Sequence, residues 1–315
     1  MLLPQTVMDI EKGVAVELKK TAFTMVELLA VLAIIALLVG LLLPALSAVK
    51  NIAKETKQKA QFASIELALT AFKNDYGDYP PSSWSSAPNL TNDYCGAQKL
   101  AEALLGWDML GFHPKTAWRA DGLDAAGGPG TYDPLKTRDL DGNGVPDTLD
   151  ERKGPYLELA TTSAFKLRDL FYPLSTSTLG PLAPETYVIC DAFHAKKVTM
   201  LKGNDPVTGL PITATERVGA PVLYYKANTS QKILNTIYDV LDNDALVLMK
   251  QQLDNREHPL ARQAGTVPYQ FFYDYIRNPK IDARPWPYRA DSYILISAGA
   301  DGLYGTGDDV CNFGN

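Results

Sequence analysis

Residues 19–46 read KKTAFTMVELLAVLAIIALLVGLLLPAL, and this stretch decides the fold of the N-terminal part of the chain. Every residue from position 28 to position 43 is apolar or glycine. As a helix, residues 23–46 would be about 36 Å long at about 1.5 Å per residue, which is enough to cross a bilayer. The sequence therefore predicts a membrane-spanning helix.

Glu27 is unusual because it stands one residue before the apolar run. Carrying a carboxylate to the hydrocarbon edge of a bilayer is costly, and a plain anchor gains nothing from it. We therefore expect Glu27 to have a function beyond anchoring.

The stretch Lys19-Lys20-Thr21-Ala22-Phe23-Thr24-Met25-Val26-Glu27-Leu28-Leu29 resembles the processing site of type IV prepilin-like proteins. In that family, basic residues precede a small residue, which is followed by Phe-Thr-x-x-Glu-Leu. The resemblance implies that residues 1–22 are a leader, that prepilin peptidase cuts after Ala22, and that the new amine of Phe23 is methylated. The family usually has Gly where this chain has Ala22, so we expect slower cleavage.

Two residues of the run are predicted to act in assembly. The resemblance implies that Glu27 pairs with the freed amine of an adjacent subunit, because an amine buried in a helix bundle needs a counter-charge. Pro44 is the 22nd residue after the predicted cut. Type IV pilins commonly carry a proline there, which kinks or locally melts the helix during filament packing.

An uncleaved signal anchor and an ordinary signal peptide, cut near Ala45-Leu46-Ser47, also contain such a run, but neither explains Glu27. Lysines stand on both sides of the span, so counting charges does not orient it. The resemblance implies a single-pass protein of the inner membrane with its C-terminal domain outside the cytoplasm. The resemblance also implies that the protein later joins a filament in the periplasm or at the cell surface.

The helix is predicted to continue to Tyr76, so that residues 23–76 form the transmembrane and assembly helix. Apolar residues recur every three or four positions, as on a helix that lies on a sheet: Phe62, Ile65, Leu69, Phe72 and Tyr76. Gly77 and Pro80-Pro81 end the pattern. The run of residues 65–80 is similar to the helix exit of major type II secretion pseudopilins.

Residues 77–315 are predicted to form the globular extracytoplasmic domain. Segments 186–190, 221–226 and 292–297 are rich in β-branched and aromatic residues and are predicted strands. Residues 230–255 have a helical pattern, interpreted as a decorating helix, and residues 82–184 are interpreted as a large loop-rich insertion. The predicted fold is α+β and pilin-like, with the long helix packed on a small antiparallel sheet.

A calcium loop is predicted at residues 139–150, DLDGNGVPDTLD. Oxygen-bearing side chains and a glycine fall at the template positions of such loops, and calcium needs this density of oxygen ligands. The predicted ligands are the side chains of Asp139, Asp141, Asn143, Asp147 and Asp150 and the carbonyl of Val145. A solvated turn is the alternative, because Asp, Asn and Gly also favour turns.

A second calcium loop is implied by resemblance. Residues 296–302, ISAGADG, and residues 307–310, GDDV, resemble the calcium-binding terminal loop of major type II secretion pseudopilins. By this resemblance Asp301 and Asp309 are ligands, Asp308 is a third, and Ser297 or nearby carbonyls complete the shell. A glycine-rich hairpin is the alternative.

The three cysteines lack the close spacing of zinc or haem sites. If Cys190 and Cys311 are neighbours, a disulfide ties the terminal loop to the sheet. Three unpaired thiols fit the odd count as well.

The composition and the absence of catalytic motifs in the sequence argue against two classes of function. The chain of 315 residues has a formal charge of -6 and no basic footprint for nucleic acid. It has no nucleophile elbow, phosphate-cradling loop or paired-histidine zinc motif, and no catalysis is predicted.

The predicted function is a structural subunit of a type IV pilus or a type II secretion pseudopilus. Its expected partners are other copies of itself, other pilins, the peptidase and methyltransferase, the inner-membrane assembly machinery and membrane lipid. The alternatives are a minor pilin or adhesin-like tip subunit and a signal-anchored exported protein of unknown function.

Overall fold

The computed structural model describes residues 24–84, 94–122, 131–132, 147–159, 162–171, 182–193, 196–262 and 269–314. Met1–Lys50 and Asn51–Asn315 are two separate compact units. The predicted cleavage residues Ala22 and Phe23 lie outside the described residues, as do residues 139–146 of the first predicted calcium loop.

Helix α1 is one α-helix of 52 residues, Met25–Tyr76. Its first part, Met25–Leu43, has a mean hydropathy of 3.0 and is not buried. In the described part of the chain it is the one helix that is long and apolar enough to cross a membrane. The prediction of a long N-terminal helix ending at Tyr76 is confirmed, and the amide of Gly77 caps its end by donating to the carbonyl of Lys73 at 2.7 Å.

The C-terminal half of α1 packs into the second unit. Phe62, Ile65, Leu69 and Phe72 are buried, so the predicted apolar stripe faces the core. The polar side chains beside the stripe bind main-chain groups of the globular part. Gln58 Oε1 accepts from the amide of Ala192 at 2.7 Å.

The other helices are short. They are α2 (Gly96–Leu105), α3 (Asp147–Asp150), α4 (Leu167–Leu170), α5 (Leu234–Ile237), α6 (Leu241–Asp254), a 3-10 turn (Pro259–Ala261) and α7 (Gln270–Tyr275). The strands are β1 (Ala164–Lys166), β2 (Tyr187–Ile189), β3 (Lys196–Asn204), β4 (Pro211–Val218), β5 (Leu223–Lys226), β6 (Tyr293–Ser297) and β7 (Val310–Cys311).

The main sheet is antiparallel with the order β5-β6-β7. Leu223 faces Ile296 across β5 and β6, and Ile296 faces Cys311 across β6 and β7. The β1-β2 pair adjoins β5 through an isolated bridge between Cys190 and Pro221. The three predicted strands are confirmed as β2, β5 and β6, and the α+β class is correct.

The structure adds detail to two interpretations. The segment interpreted as a loop-rich insertion contains α2, whose ten residues are all buried between α1 and the sheet core. The predicted decorating helix is α5 followed by α6, and α6 buries Leu246, Val247 and Met249 in the core. The composition of residues 82–184 is an average over a long segment, so it does not reveal a short helix such as α2. The helical pattern of residues 230–255 predicts a helix but does not indicate which other element packs against its apolar face.

The stretch between β2 and β5 forms a hairpin that the sequence analysis did not predict. Strands β3 and β4 pair from Lys196 and Val218 outward, with a register shift between Leu201 and Gly203. The turn is closed by Asp205, whose Oδ1 accepts from the amides of Val207 and Thr208 at 2.8 Å each.

Candidate functional site

The start of α1 is organised by Thr24 and Glu27. The Glu27 carboxylate accepts hydrogen bonds from the amide and the hydroxyl of Thr24, both at 2.9 Å. The Thr24 hydroxyl oxygen accepts from the amide of Glu27 at 3.2 Å. Threonine and glutamate three residues apart, bonded reciprocally, form a capping box, which satisfies amides that the first helical turn leaves free.

Sequence reasoning missed this role of Thr24, although the spacing Thr-x-x-Glu before an apolar run is its signal. Glu27 is exposed, so its carboxylate is accessible to a partner as well as to the cap. Helix α1 continues through position 44, the site of the predicted assembly proline.

The loop between β6 and β7 is the second candidate site. It leaves β6 at Ser297 and turns at Gly299, whose φ is +62°. A Cβ at Gly299 would stand 2.3 Å from the carbonyl oxygen of Asp308. Only glycine therefore allows the two ends of the loop to approach this closely.

Asp308 joins the two ends of the loop. Its Oδ2 accepts from the amides of Ala300 and Asp301 at 2.7 and 2.9 Å. Burial opposes ionisation of Asp308, but the hydrogen bonds from Thr306 and from these amides outweigh it and hold the pKa of the carboxyl below its usual value. Asp308 is therefore an ionised carboxylate at neutral pH.

Asp309 is the more buried carboxylate of the loop. Its Oδ2 accepts from the amide of Gly305 at 2.7 Å and from the Tyr275 hydroxyl at 2.9 Å. Burial raises the pKa of Asp309 to about 7. Among the described residues Asp309 forms no ion pair, and its hydrogen-bond donors are neutral groups.

Three oxygen atoms surround the hydroxyl oxygen of Thr306. Its Oγ1 lies 2.6 Å from Asp308 Oδ1, 3.3 Å from Asp309 Oδ1 and 3.3 Å from the carbonyl oxygen of Leu303. Two carboxylates, a hydroxyl and a carbonyl are the ligand types that calcium prefers, and water completes the shell in many such sites. The chemistry of this donor set fits a bound calcium ion.

Two ligands implied by resemblance are engaged elsewhere. One carboxylate oxygen of Asp301 accepts from the amide of Leu303 at 2.7 Å, and among the described residues no three His, Cys, Asp or Glu side chains gather closely enough to share a metal. Ser297 is fully buried and donates its hydroxyl to Asp191 Oδ2 at 3.0 Å. Asp308, Asp309 and the carbonyl of Leu303 lie around the Thr306 hydroxyl, and the predicted roles of Asp301 and Ser297 as ligands stay predictions.

The first predicted calcium loop is described only at its end. Asp139, Asp141, Asn143 and Val145 lie outside the described residues, and of Asp147 only the backbone is described. Asp147 and Asp150 are the first and last residues of α3. The predicted ligand set of this loop stays a prediction.

No protein-family model, curated protein or solved structure matches the chain.

Asp191 links the terminal loop to β2. It is fully buried, its Oδ1 accepts from the amide of Phe193 at 3.1 Å, and its Oδ2 binds Ser297. A Cβ at Gly219 would stand 2.1 Å from the carbonyl oxygen of Asp191, so glycine is needed there for close approach. Burial raises the pKa of Asp191 to about 6.

The structure does not bring Cys190 and Cys311 together, so the condition for the predicted disulfide is not met. All three cysteines are free thiols, and Cys190 follows β2 while Cys311 lies in β7. β5 and β6 stand between them, which separates the two residues by about 14 Å at about 4.8 Å per strand. A disulfide requires Cα atoms within about 7 Å.

Proposed function

We propose that this chain is a structural subunit, pilin or pseudopilin, of a type IV pilus or a type II secretion pseudopilus. Prepilin peptidase cuts it after Ala22, the apolar start of α1 keeps it in the inner membrane, and α1 then packs into the filament. Its globular domain lies outside the cytoplasm.

The continuity of α1 carries this proposal. Met25–Leu43 is apolar and exposed, whereas Phe62, Ile65 and Leu69 of the same helix are core residues of the second unit. A signal peptide cut near position 46 would remove the first part of a helix whose second part is core. Retention of the whole helix is what an assembly subunit needs, since the apolar part serves first in the membrane and then in the filament.

In this proposal Glu27 has two roles, capping the helix and pairing with an amine, and the two can be tested separately. A glutamate at this position caps the helix, and glutamine can do the same, because both side chains accept a hydrogen bond. Only the ionised carboxylate can neutralise the amine of an adjacent Phe23. We expect both roles in the filament, with assembly depending on the charge.

The test begins with the N-terminal residue of the mature protein, measured by mass spectrometry of membrane and sheared-filament fractions. A methylated Phe23 is expected. An intact Met1, or a start near position 48, would return the protein to the anchored or exported class.

Three variants then separate charge from capping. Glu27→Ala and Glu27→Gln should both insert into the membrane and fail to assemble, because both lack the charge. Thr24→Ala loses the cap and keeps the charge, so it should still assemble. Normal filaments from Glu27→Gln would reject the pairing mechanism.

Calcium is the cofactor that we propose for the terminal loop, with Asp308, Asp309, Thr306 and Leu303 around it. When bound, it supplies positive charge between two carboxylates that otherwise repel each other. The loop would then be tied more firmly between β6 and β7. The donor set described above supports this role.

A further inference from the structure

We infer that the globular unit contacts a second copy of itself by placing a basic groove of one copy against an acidic cavity of the other. The inference rests on the proposed function, because it takes the neighbouring subunit as the partner. It adds a contact made by the globular part to the packing of α1.

The basic groove is a cavity of about 480 Å³ lined by residues of α5 and α7 and by the segment that follows α7. Three exposed cations line it, namely Lys232, Arg277 and Arg284. Among the described residues none of the three forms an ion pair, and Arg284 lies 4.1 Å from the ring centre of Trp286. The carboxylate on its wall, Asp274, accepts from Gln270 at 2.8 Å.

The acidic cavity measures about 470 Å³ and is lined by Asp78, Asp239, Asp242 and Asp291. Lys226 is the cation on its wall, and its ammonium group binds Asp78 at 2.5 Å. Asp239 and Asp291 are exposed, and in the described part of the chain neither has a cation partner. The cavity therefore presents to the solvent two carboxylates without an ion-pair partner among the described residues.

The two cavities are neighbours on one surface. A third cavity of about 360 Å³ shares Thr229 and Asp291 with the acidic cavity and Lys232 with the basic groove. Ile233, also on the wall of the basic groove, is 63% exposed. This surface therefore combines cations, carboxylates and an exposed apolar side chain.

A second copy is the occupant that this charge pattern fits. Complementary patches on one chain pair either across a two-fold axis or head to tail, and in both arrangements the cations of one copy face the carboxylates of the next. The chain as a whole is acidic, with a formal charge of -6, so a groove with three unpaired cations is a local exception. Such complementarity decides orientation and partner choice.

Charge reversal tests the contact in the full-length chain, solubilised in detergent and measured by light scattering. Lys232→Glu with Arg277→Glu reverses the groove, and Asp239→Lys with Asp291→Lys reverses the cavity. Each pair should weaken self-association at least about tenfold, because like charges then face each other. All four changes in one chain exchange the two signs and should restore association to within about twofold of the wild type.

Lys197→Glu with Lys280→Glu is the matched control, because both lysines are exposed and lie outside these cavities. The control should associate like the wild type, and every variant should keep the wild-type melting temperature. Wild-type association of the groove variant would overturn the contact. So would a well-folded four-change variant that does not regain association.

Failure of this contact can be distinguished from failure of the proposed function. Normal filaments from Glu27→Ala would reject the assembly role of α1 and leave the charge-reversal result in detergent standing. Failure of the four-change rescue would reject only the contact between globular units.

Discussion

Asp309 is a residue whose surroundings conflict with its charge. Its carboxylate is bound by neutral donors, the Gly305 amide and the Tyr275 hydroxyl, while burial raises its pKa to about 7. The neighbouring Asp308 is held ionised by hydrogen bonds. A calcium ion between them would remove the conflict, and its absence should leave a measurable cost.

We predict that Asp309→Asn has opposite effects without and with calcium. In chelator at about pH 8, the variant should be more stable than the wild type by on the order of 4 kcal/mol, because it lacks a buried charge. Calcium should raise the melting temperature of the full-length wild type and not that of the variant.

Asp141→Asn is the matched control, because it alters the other predicted calcium loop and leaves the terminal loop intact. If calcium still stabilises Asp309→Asn and no longer stabilises Asp141→Asn, the ion belongs to the loop of residues 139–150. That result would contradict the terminal site.

Helix α1 has two parts that are suited to different environments. Its apolar start is suited to lipid, while its second part is amphipathic and buries one face against α2 and the sheet. The stripe could be predicted because the helical period is local. That α2 covers part of it could not, since this depends on contacts distant in sequence.

We predict that Leu69→Ala destabilises the protein by about 3 kcal/mol, because Leu69 is 0% exposed and its loss leaves a cavity. Leu67→Ala is the control on the same helix, since Leu67 is 73% exposed and should change the free energy of unfolding little. Denaturant unfolding of the full-length chain in detergent measures both. Equal effects of the two changes would mean that the stripe is not the core face.

In the whole molecule, buried carboxylates make stability depend on pH. Burial raises the pKa of Asp191 and of Asp242 to about 6 each. Their pKa values in the unfolded chain are about 3.9, so between these values the native state binds more protons than the unfolded state. The contribution of these two carboxyl groups to stability is therefore full in mild acid and is lost as pH rises from about 4 to about 6.

We predict that Asp191→Asn removes up to about 3 kcal/mol of this pH dependence, since asparagine is neutral and still accepts a hydrogen bond. Asp274→Asn, at an exposed position of α7, is the matched control for the change from carboxylate to amide. Denaturant unfolding of the calcium-free chain at about pH 4.5 and about pH 7 gives the comparison. An Asp191→Asn profile identical to the wild type would contradict the assignment.

The sequence predicted the residues of the candidate sites to different extents. Glu27 stood out because a carboxylate beside an apolar run is costly, yet its local bond to Thr24 came from the structure. Asp308 and Asp309 were foreseen from a resemblance. That Thr306 and Leu303 complete the oxygen cluster, and that Ser297 binds Asp191 instead, depends on how the loop folds back on β2 and β6.

By itself the sequence determined α1 with its apolar start and its buried stripe, and the strands β2, β5 and β6, because a helical period and β-rich segments are local patterns. Tertiary structure alone decided that α2 is core, that α6 is buried, and that two strands separate Cys190 from Cys311. These features depend on which elements become neighbours, and no residue pattern within a single segment contains that information.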